Sequence, residues 1–358
     1  MKKALIAMSG GVDSSVAAYL MKQRGFECIG ATMKLYDNED VGISRSRTCC
    51  SADDIQDARG VCYKLDIPYY VFNFKDDFNE KVIKKFVESY ENGATPNPCI
   101  DCNRYLKFER MFIRAKEIDC DYIVTGHYAR IEEKDGRFLL KKSVNAPKDQ
   151  SYVLYSMTQE ELAHTMFPLG DIADKNEVRK IAEKNGLANA EKPDSQDICF
   201  VPDGDYAKVI EHYTGKKYPE GNYIDVNGNV LGKHKGIIHY TIGQRRGLGI
   251  SLGKHMYVCD KNPENNTVTL GDICDLMNSE VYVEDFNWIL YDNPPASFRA
   301  VAKLRYNQKQ EYPCTVLVDE NDKTKVKLLL DEPQKAVAKG QAAVVYDGDY
   351  VVGGGTIL

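Results

Sequence analysis

The stretch Ala7-Met8-Ser9-Gly10-Gly11-Val12-Asp13-Ser14-Ser15-Val16 constrains this chain most. It leaves the apolar run Ala4-Leu5-Ile6-Ala7-Met8 and opens a helical pattern through a glycine-rich turn. A run this short and apolar suits a strand buried on both faces of a parallel sheet. Gly10 and Gly11 can take positive φ and let the backbone approach a ligand, while Ser9, Asp13 and Ser14 stand where caps and first-turn residues belong. Unpaired N–H groups there, with the helix macrodipole, favour phosphate oxygens. The alternative is an ordinary strand-to-helix turn capped by Ser or Asp. No lysine follows the glycines, as a Walker loop would need, and the third glycine of a dinucleotide fingerprint is missing.

What remains, Ser-Gly-Gly-Val-Asp-Ser, resembles the pyrophosphatase-loop motif of enzymes that cleave ATP to AMP and pyrophosphate. In those enzymes the AMP is attached to an oxygen of a second substrate. The motif identifies a superfamily and leaves the substrate open.

With 358 residues, 43% of them hydrophobic, the chain is long enough for two or three domains with substantial cores. Met1-Lys2-Lys3 and the apolar residues after it imitate a signal peptide, but Ser9-Gly10-Gly11-Val12-Asp13 ends the run too early. No stretch approaches the roughly eighteen apolar residues of a membrane helix. A cytoplasmic protein with no membrane partner is expected. Its eleven cysteines are then reduced thiols, reactive or metal-binding where they fall in motifs. Cys28, Cys62, Cys120, Cys259, Cys274 and Cys314 lie singly in apolar contexts and read as small buried hydrophobes. A net charge of −6 and a pI near 5.7 argue against wrapping a long nucleic acid nonspecifically, though a structured RNA gripped by local patches stays open.

The first two hundred residues alternate strand and helix. Helices are predicted over 13–24, 52–65, 77–90 and 105–118, and strands over 28–36, 69–74 and 122–125. Repeated units of this kind imply a doubly wound parallel sheet, with a ligand at the carboxyl ends of its strands. Two polar stretches interrupt the pattern, 37–51, ending in Thr48-Cys49-Cys50-Ser51, and 92–103, which holds Cys99 and Cys102. After Asp203 a short helix over 206–213 leads into brief alternating segments. Strands are predicted over 298–306, 312–318, 325–330 and 342–346, and Gly353-Gly354-Gly355 permits a bulge or a tight approach. The expected domains are a catalytic α/β domain over 1–203, a central module over 204–278 and a C-terminal β-barrel over 279–358.

Thr95-Pro96-Asn97-Pro98-Cys99-Ile100-Asp101-Cys102-Asn103 places two cysteines at Cys-x-x-Cys spacing before a helical pattern. A thiolate at a helix N-terminus is stabilised by the dipole, which makes Cys102 a candidate nucleophile. Half of a structural zinc site is the alternative, but Cys49 and Cys50 are adjacent and do not supply the second spaced pair. Cys199, in Lys192-Pro193-Asp194-Ser195-Gln196-Asp197-Ile198-Cys199-Phe200, would by itself read as a buried core thiol.

Seven blocks occur in order: Ser-Gly-Gly-Val-Asp-Ser, Thr-Cys-Cys-Ser, Thr-Pro-Asn-Pro with Cys102-Asn103, Thr125-Gly126-His127-Tyr128-Ala129, Lys148-Asp149-Gln150-Ser151-Tyr152, Ser195-Gln196-Asp197-Ile198-Cys199-Phe200, and His239-Tyr240-Thr241-Ile242-Gly243-Gln244-Arg245-Arg246-Gly247-Leu248-Gly249. Together they resemble the bacterial tRNA-specific 2-thiouridylases, which replace the C2 oxygen of the wobble uridine with sulfur. The resemblance spans nearly the whole chain and implies the fold of the adenine nucleotide alpha hydrolases. It implies that ATP, with Mg2+, sits on Ala7, Met8, Ser9, Gly10, Gly11, Val12, Asp13 and Ser14, with Met33 and Gly126. Cys199 would carry sulfur as a persulfide and Cys102 would act as nucleophile, leaving a Cys102–Cys199 disulfide after each turnover. One common version of the family has an aspartate where this chain has Cys99, so the general acid or base is left between other groups, with Asp101 a candidate. The extra thiol opens a rival reading in which Cys99, Cys102 and Cys199 hold a [4Fe–4S] cluster with one open iron.

The resemblance also implies tRNA contacts at His127, Lys148, Asp149, Gln150, Arg305, Tyr306 and Gln341, with a splayed-out base in a pocket. His127 reads equally well as a buried histidine beside the sheet. Lys233-His234-Lys235, Arg245-Arg246 and Lys254-His255 could meet phosphates or form a solvated face. Implied partners are the tRNAs for Lys, Glu and Gln and an upstream persulfide carrier. Two other readings are a small-molecule adenylating synthetase, which leaves the two thiols without work, and a nonenzymatic RNA-binding protein, against which the intact loop argues.

Overall fold

The apolar run at the start of the chain becomes β1 (Lys3–Ala7), in which Ala4, Leu5 and Ile6 are fully buried. Successive strand side chains face opposite ways, so both faces of β1 are covered. The structure, a computed structural model, describes residues 1–37, 39, 41–42, 52–192, 198–201 and 203–358. The sequence readings on Thr48-Cys49-Cys50-Ser51 and on 193–197 lie outside these residues. The chain divides into two units: Met1–Val82, Cys99–Gly204 and Gly348–Val351 form one, and Ile83–Pro98, Asp205–Asp347 and Val352–Leu358 the other.

After β1 the chain runs through α1 (Val12–Gln23), β2 (Glu27–Lys34), α2 (Ala52–Lys64), β3 (Tyr69–Asn73), α3 (Lys75–Phe78), α4 (Lys84–Glu91), α5 (Pro98–Asp101), α6 (Met111–Glu117) and β4 (Tyr122–Val124). It continues through β5 (Ala129–Lys134), β6 (Arg137–Lys142), α7 (Gln159–Ala163), β7 (Thr165–Met166) and α8 (Lys175–Lys184).

In the first unit the parallel sheet has the order β3-β2-β1-β4-β7. The chain winds outward from β1 to β3 and then returns to the other side of β1, so the switch point lies between β1 and β4. A crevice at the carboxyl ends of these two strands is where such sheets bind ligands. Val16, Ala17 and Met21 of α1, Ala58 and Val61 of α2, and Val178 and Ala182 of α8 pack with Ala4 and Ile6. Each larger aliphatic side chain buried there contributes about 1.5–3 kcal/mol. Gly25, at φ 81°, ends α1 as expected.

Three local features differ from the sequence expectation. The helix expected to begin at Tyr105 begins at Pro98, because proline suits the first helical position. Cys99 therefore stands in its first turn, and Cys102 opens a π-helical stretch, Cys102–Arg110, that leads into α6. The β5–β6 hairpin was not expected; its turn residues Asp135 and Gly136 both have positive φ (52° and 76°), the geometry of a tight hairpin. Of the lone cysteines, Cys28, Cys62, Cys120 and Cys314 are buried as expected, whereas Cys259 is half-buried and Cys274 exposed.

In the second unit α9 (Tyr206–Thr214) is capped by the Asp205 carboxylate and closed by Gly215 in the left-handed region. The strands β8 (Gly221–Asp225), β9 (Val230–His234), β10 (Tyr257–Asn262) and β11 (Thr267–Gly271) form a sheet of order β10-β11-β8-β9. The strands β12 (Met277–Trp288), β13 (Ser297–Lys303), β14 (Tyr312–Val318), β15 (Val326–Lys335), β16 (Ala342–Asp347) and β17 (Tyr350–Ile357) follow in the order β12-β15-β14-β13-β16-β17. Pairing of β17 with β12 closes them into a barrel around Val283, Phe286, Val316, Leu328, Val345 and Val352. The register shifts between Glu284 and Asn287 opposite Gly353-Gly354-Gly355, where the glycines admit the close approach. Among the described residues no helix is long and apolar enough to cross a membrane.

Candidate functional site

Gly11 caps α1 in extended conformation without any side-chain cap. A helix cannot satisfy its own first-turn N–H groups, so these remain for a ligand. Gly10 has φ 73°, and a Cβ there would stand 2.5 Å from the Asp54 carbonyl oxygen, so only glycine fits. The Ser14 hydroxyl accepts from the Ser9 N–H at 3.2 Å and donates to the Gly11 carbonyl at 3.0 Å, folding the loop onto itself. The Met8 N–H donates to Ala31 on β2, and the Met8 carbonyl accepts from buried Thr32 at 2.7 Å. Ala7 ends β1, Val12 begins α1, and Met33 is buried near the end of β2. Gly126, just beyond β4, lies so near α1 that a Cβ would come within 2.8 Å of the Asp13 carbonyl carbon and the Ser14 nitrogen. The expected nucleotide positions thus meet across the switch point.

Asp13 in the first turn of α1 would repel a phosphate if left bare. Lys175 Nζ instead reaches both its oxygens at 2.6 Å, and the Tyr128 hydroxyl donates to it at 2.8 Å. Behind the loop, Asn189 and Lys192 donate to its carbonyls. Burial pulls the Lys192 ammonium down, but its hydrogen bonds to Asp54 and Asp57 outweigh this and hold it above the ordinary lysine value. Sequence reasoning missed Lys175, Asn189 and Lys192 as partners of the loop.

The two cysteine segments reach the same sheet edge by separate contacts. The Tyr36 hydroxyl, just past the end of β2, donates to the Cys199 carbonyl at 2.6 Å. Tyr36 stacks on Phe78, and Phe78 meets Phe200 edge-on, each with centroids 5.7 Å apart. Cys102 is half-buried, Cys99 exposed and Asp101 buried within α5. Asn103 beside Cys102 donates to the Val153 carbonyl at 3.0 Å, and Phe108 of the same helical stretch packs on His127 past the end of β4. Among the described residues, no three His, Cys, Asp or Glu are grouped to hold a metal. Among the described residues, Cys99, Cys102 and Cys199 do not come together as a metal-ligand group.

The expected tRNA residues fall into two sets. In the first unit, His127 is buried, with Nδ1 2.7 Å from the Thr125 hydroxyl. Burial, and secondarily the Lys107 charge, push its imidazole well below the usual histidine range, so it is neutral. Asp149 accepts from the Ser143 and Ser151 N–H groups and the Ser151 hydroxyl, shaping the turn in which Lys148 stands. Gln150 pairs with Tyr128 through both its backbone N–H and its side-chain oxygen, each at 2.9 Å. In the second unit, Arg305 donates to the Lys335 and Ala336 carbonyls, Tyr306 is exposed, and Gln341 donates to the Thr95 carbonyl at 2.6 Å. A cavity of about 460 Å³ in that unit is lined by Arg245, Leu248, Ile250, Lys254, His255 and Met256, among others.

Residues 2–203 match the family description tRNA methyl transferase HUP domain, 207–272 the tRNA methyl transferase PRC-barrel domain, and 278–357 the aminomethyltransferase beta-barrel domain. The chain is 51% identical over 358 residues to the tRNA-specific 2-thiouridylase MnmA of Clostridioides difficile (strain 630), covering 99% of this chain and 98% of the relative. It is 50% identical over 359 residues to the protein of the same name from Acetivibrio thermocellus, covering 99% of each. A more distant likeness, with TM-score 0.39 and 20% identity over 60% of this chain and 50% of the other, is to a 4-thiouridine synthetase solved with RNA and bound ATP.

Proposed function

The chain belongs to the tRNA-specific 2-thiouridylase family and is a tRNA sulfurtransferase acting on uridine, and from that premise we propose how its residues divide the reaction. ATP lies on Ala7–Ser14 with Met33 and Gly126 beside it, its phosphates facing the open N–H groups at the start of α1. Mg2+ is proposed to enter with ATP on the phosphate oxygens, since both oxygens of Asp13 are already taken by Lys175. The C2 oxygen of the wobble uridine attacks the α-phosphorus, the bond to the β-phosphate breaks, and pyrophosphate leaves. The Cys102 thiolate then attacks the Sγ of a Cys199 persulfide, and the S–S bond breaks to free hydrosulfide. Hydrosulfide attacks C2 and gives up its proton, AMP departs with the former C2 oxygen, and a Cys102–Cys199 disulfide remains for an external thiol to reduce. Asp101 is the proposed general acid or base.

The observation that carries this reading is the tether from Tyr36 to Cys199, three residues beyond Met33, on the edge of the sheet where the glycine loop stands. His127, Lys148, Asp149 and Gln150 in the first unit, and Arg305, Tyr306 and Gln341 in the second, are the proposed tRNA contacts. The tRNAs for Lys, Glu and Gln are the proposed substrates, and an upstream persulfide carrier the proposed donor. A cytoplasmic location and the division 1–203, 204–278 and 279–358 belong to the same proposal.

Anaerobic single-turnover reaction of tRNA with ATP and a persulfide donor, followed by mass analysis of the anticodon loop, tests the proposal. One sulfur replacing one oxygen at the wobble uridine is expected, and an unmodified loop overturns it. Cys102→Ser and Cys199→Ser should each abolish thiolation while sparing tRNA binding. Full activity in either variant removes that residue from the mechanism.

A further inference from the structure

Asn189 and Lys192 reach the glycine loop from its far side. The Asn189 amide is 5% exposed, and its Nδ2 donates to the Gly10 carbonyl at 3.1 Å, the Gly11 carbonyl at 3.1 Å and the Ser15 hydroxyl at 2.7 Å. Lys192 Nζ donates to the same Gly10 carbonyl at 3.2 Å and is held by Asp54 at 2.6 Å and Asp57 at 2.7 Å. Among the described residues Asn189 Oδ1 has no hydrogen-bond partner, although it is buried. The two N–H groups of this buried amide are spread over three acceptors, all on the loop and the first turn of α1, an arrangement that calls for a reason beyond packing.

Peptide geometry supplies that reason. In a planar trans peptide the carbonyl and the following N–H point in opposite directions. Drawing the Gly10 carbonyl toward Asn189 and Lys192 therefore turns the Gly11 N–H the other way, toward the open side of the loop, and the Gly11 carbonyl, which Asn189 shares with the Ser15 N–H and the Ser14 and Ser15 hydroxyls, sets the Val12 N–H by the same geometry. Two successive glycines have wide conformational freedom, and peptide flips would scatter those donors. Donors already aimed at a developing anion need no reorganisation when it arrives.

We propose that Asn189 and Lys192 are positioning residues for the nucleotide, holding the Gly10–Gly11 backbone so that the Gly11 and Val12 N–H groups face the phosphates of ATP. Both stand on the stretch that leads to Cys199, so one segment braces the phosphate site and carries the sulfur donor. The inference rests on the ATP-dependent reaction proposed above.

Pyrophosphate release from ATP in the presence of tRNA is measured on the full chain for the parent, Asn189→Ala, Asn189→Asp, Lys192→Met and Lys192→Arg, with tRNA affinity and thermal midpoint alongside. Asn189→Ala and Lys192→Met should each raise the KM for ATP about tenfold or more, with smaller change in kcat, because each loses a brace on donors that bind phosphate. Asn189→Asp, which sets an acceptor against the two carbonyls, should be worse than Ala, and Lys192→Arg should recover most of the loss. Affinity for tRNA should stay within about twofold of the parent, since a positioning role touches only the nucleotide step. A KM for ATP unchanged in both Asn189 variants and in Lys192→Met overturns the inference, as does a parallel loss of tRNA affinity without rescue by arginine. Should Lys192→Met not fold, the Asn189 pair and Lys192→Arg decide the matter. A parent that releases no pyrophosphate sinks the proposed reaction and this inference together, whereas an active parent with unaffected variants sinks this inference alone.

Discussion

The Tyr36 hydroxyl donates a 2.6 Å hydrogen bond to the backbone carbonyl of Cys199, joining the end of β2 to the Cys199 segment across 163 residues of sequence. Tyr36→Phe keeps the ring stacked on Phe78 and removes that bond. The expected loss of stability is about 0.5–1.5 kcal/mol, the usual net worth of one such bond. Single-turnover thiolation should slow while pyrophosphate release stays at the parent rate. Equal slowing of both steps would show that the bond serves the fold rather than the placement of Cys199.

Lys175 neutralises Asp13 in the first turn of α1. Lys175→Met leaves a carboxylate facing the phosphates of ATP, and the KM for ATP should rise by about tenfold or more because an uncompensated charge remains. Asp13→Asn combined with Lys175→Met should recover part of that loss in ATP binding, measured by titration. A double variant no better than Lys175→Met would rule out charge neutralisation as the role of the lysine.

His127 is held neutral in the fold, its imidazole pushed below the unfolded value of 6.5 by burial. Below that value the unfolded chain binds a proton that the folded one refuses, so stability is full above pH 6.5 and falls as the pH drops further. The slope is at most about 1.4 kcal/mol per pH unit for one group. Thermal midpoints of the parent and His127→Gln, compared between pH 7.5 and 5.5, should show the parent losing more. His234 and His239 are lowered by burial as well and persist in both proteins, so the difference isolates His127. Parallel curves would mean that His127 accepts its proton in the fold.

Gly126→Ala forces a methyl within 2.8 Å of the first turn of α1. Overpacking of this kind costs about 1–3 kcal/mol, and here it displaces Asp13 and Ser14. Loss of ATP binding together with a lowered thermal midpoint is expected, with tRNA affinity retained. Unchanged ATP binding would show that the loop can move aside without consequence.

Much of this was legible locally. Gly10, Gly11 and the apolar run before them announce a strand, a tight turn and an open helix start, because each depends on residues a few positions apart. The barrel strand over 312–318 matches β14 residue for residue, and Gly25 ends α1. The β5–β6 hairpin carried the Asp135-Gly136 signal of a tight turn and was still missed, since its strands Ala129–Lys134 and Arg137–Lys142 mix apolar and charged residues without strict alternation. The helix start at Pro98 was missed because a stretch with two prolines and two cysteines reads as a loop until Pro98 is recognised as its first residue.

By itself the sequence determined the alternation of strand and helix from β1 to β4, the glycine turn into an uncapped helix and the family, because these follow from local backbone preference and from motifs contiguous along the chain. Only the tertiary structure decided that Lys175 neutralises Asp13, that Asn189 and Lys192 brace Gly10 and Gly11, and that Tyr36 holds Cys199. These pairs are separated by 162 to 182 positions. Such contacts arise where the sheet brings the ends of β1, β2 and β4 side by side, and no periodicity or spacing along the chain encodes which side chain will arrive there.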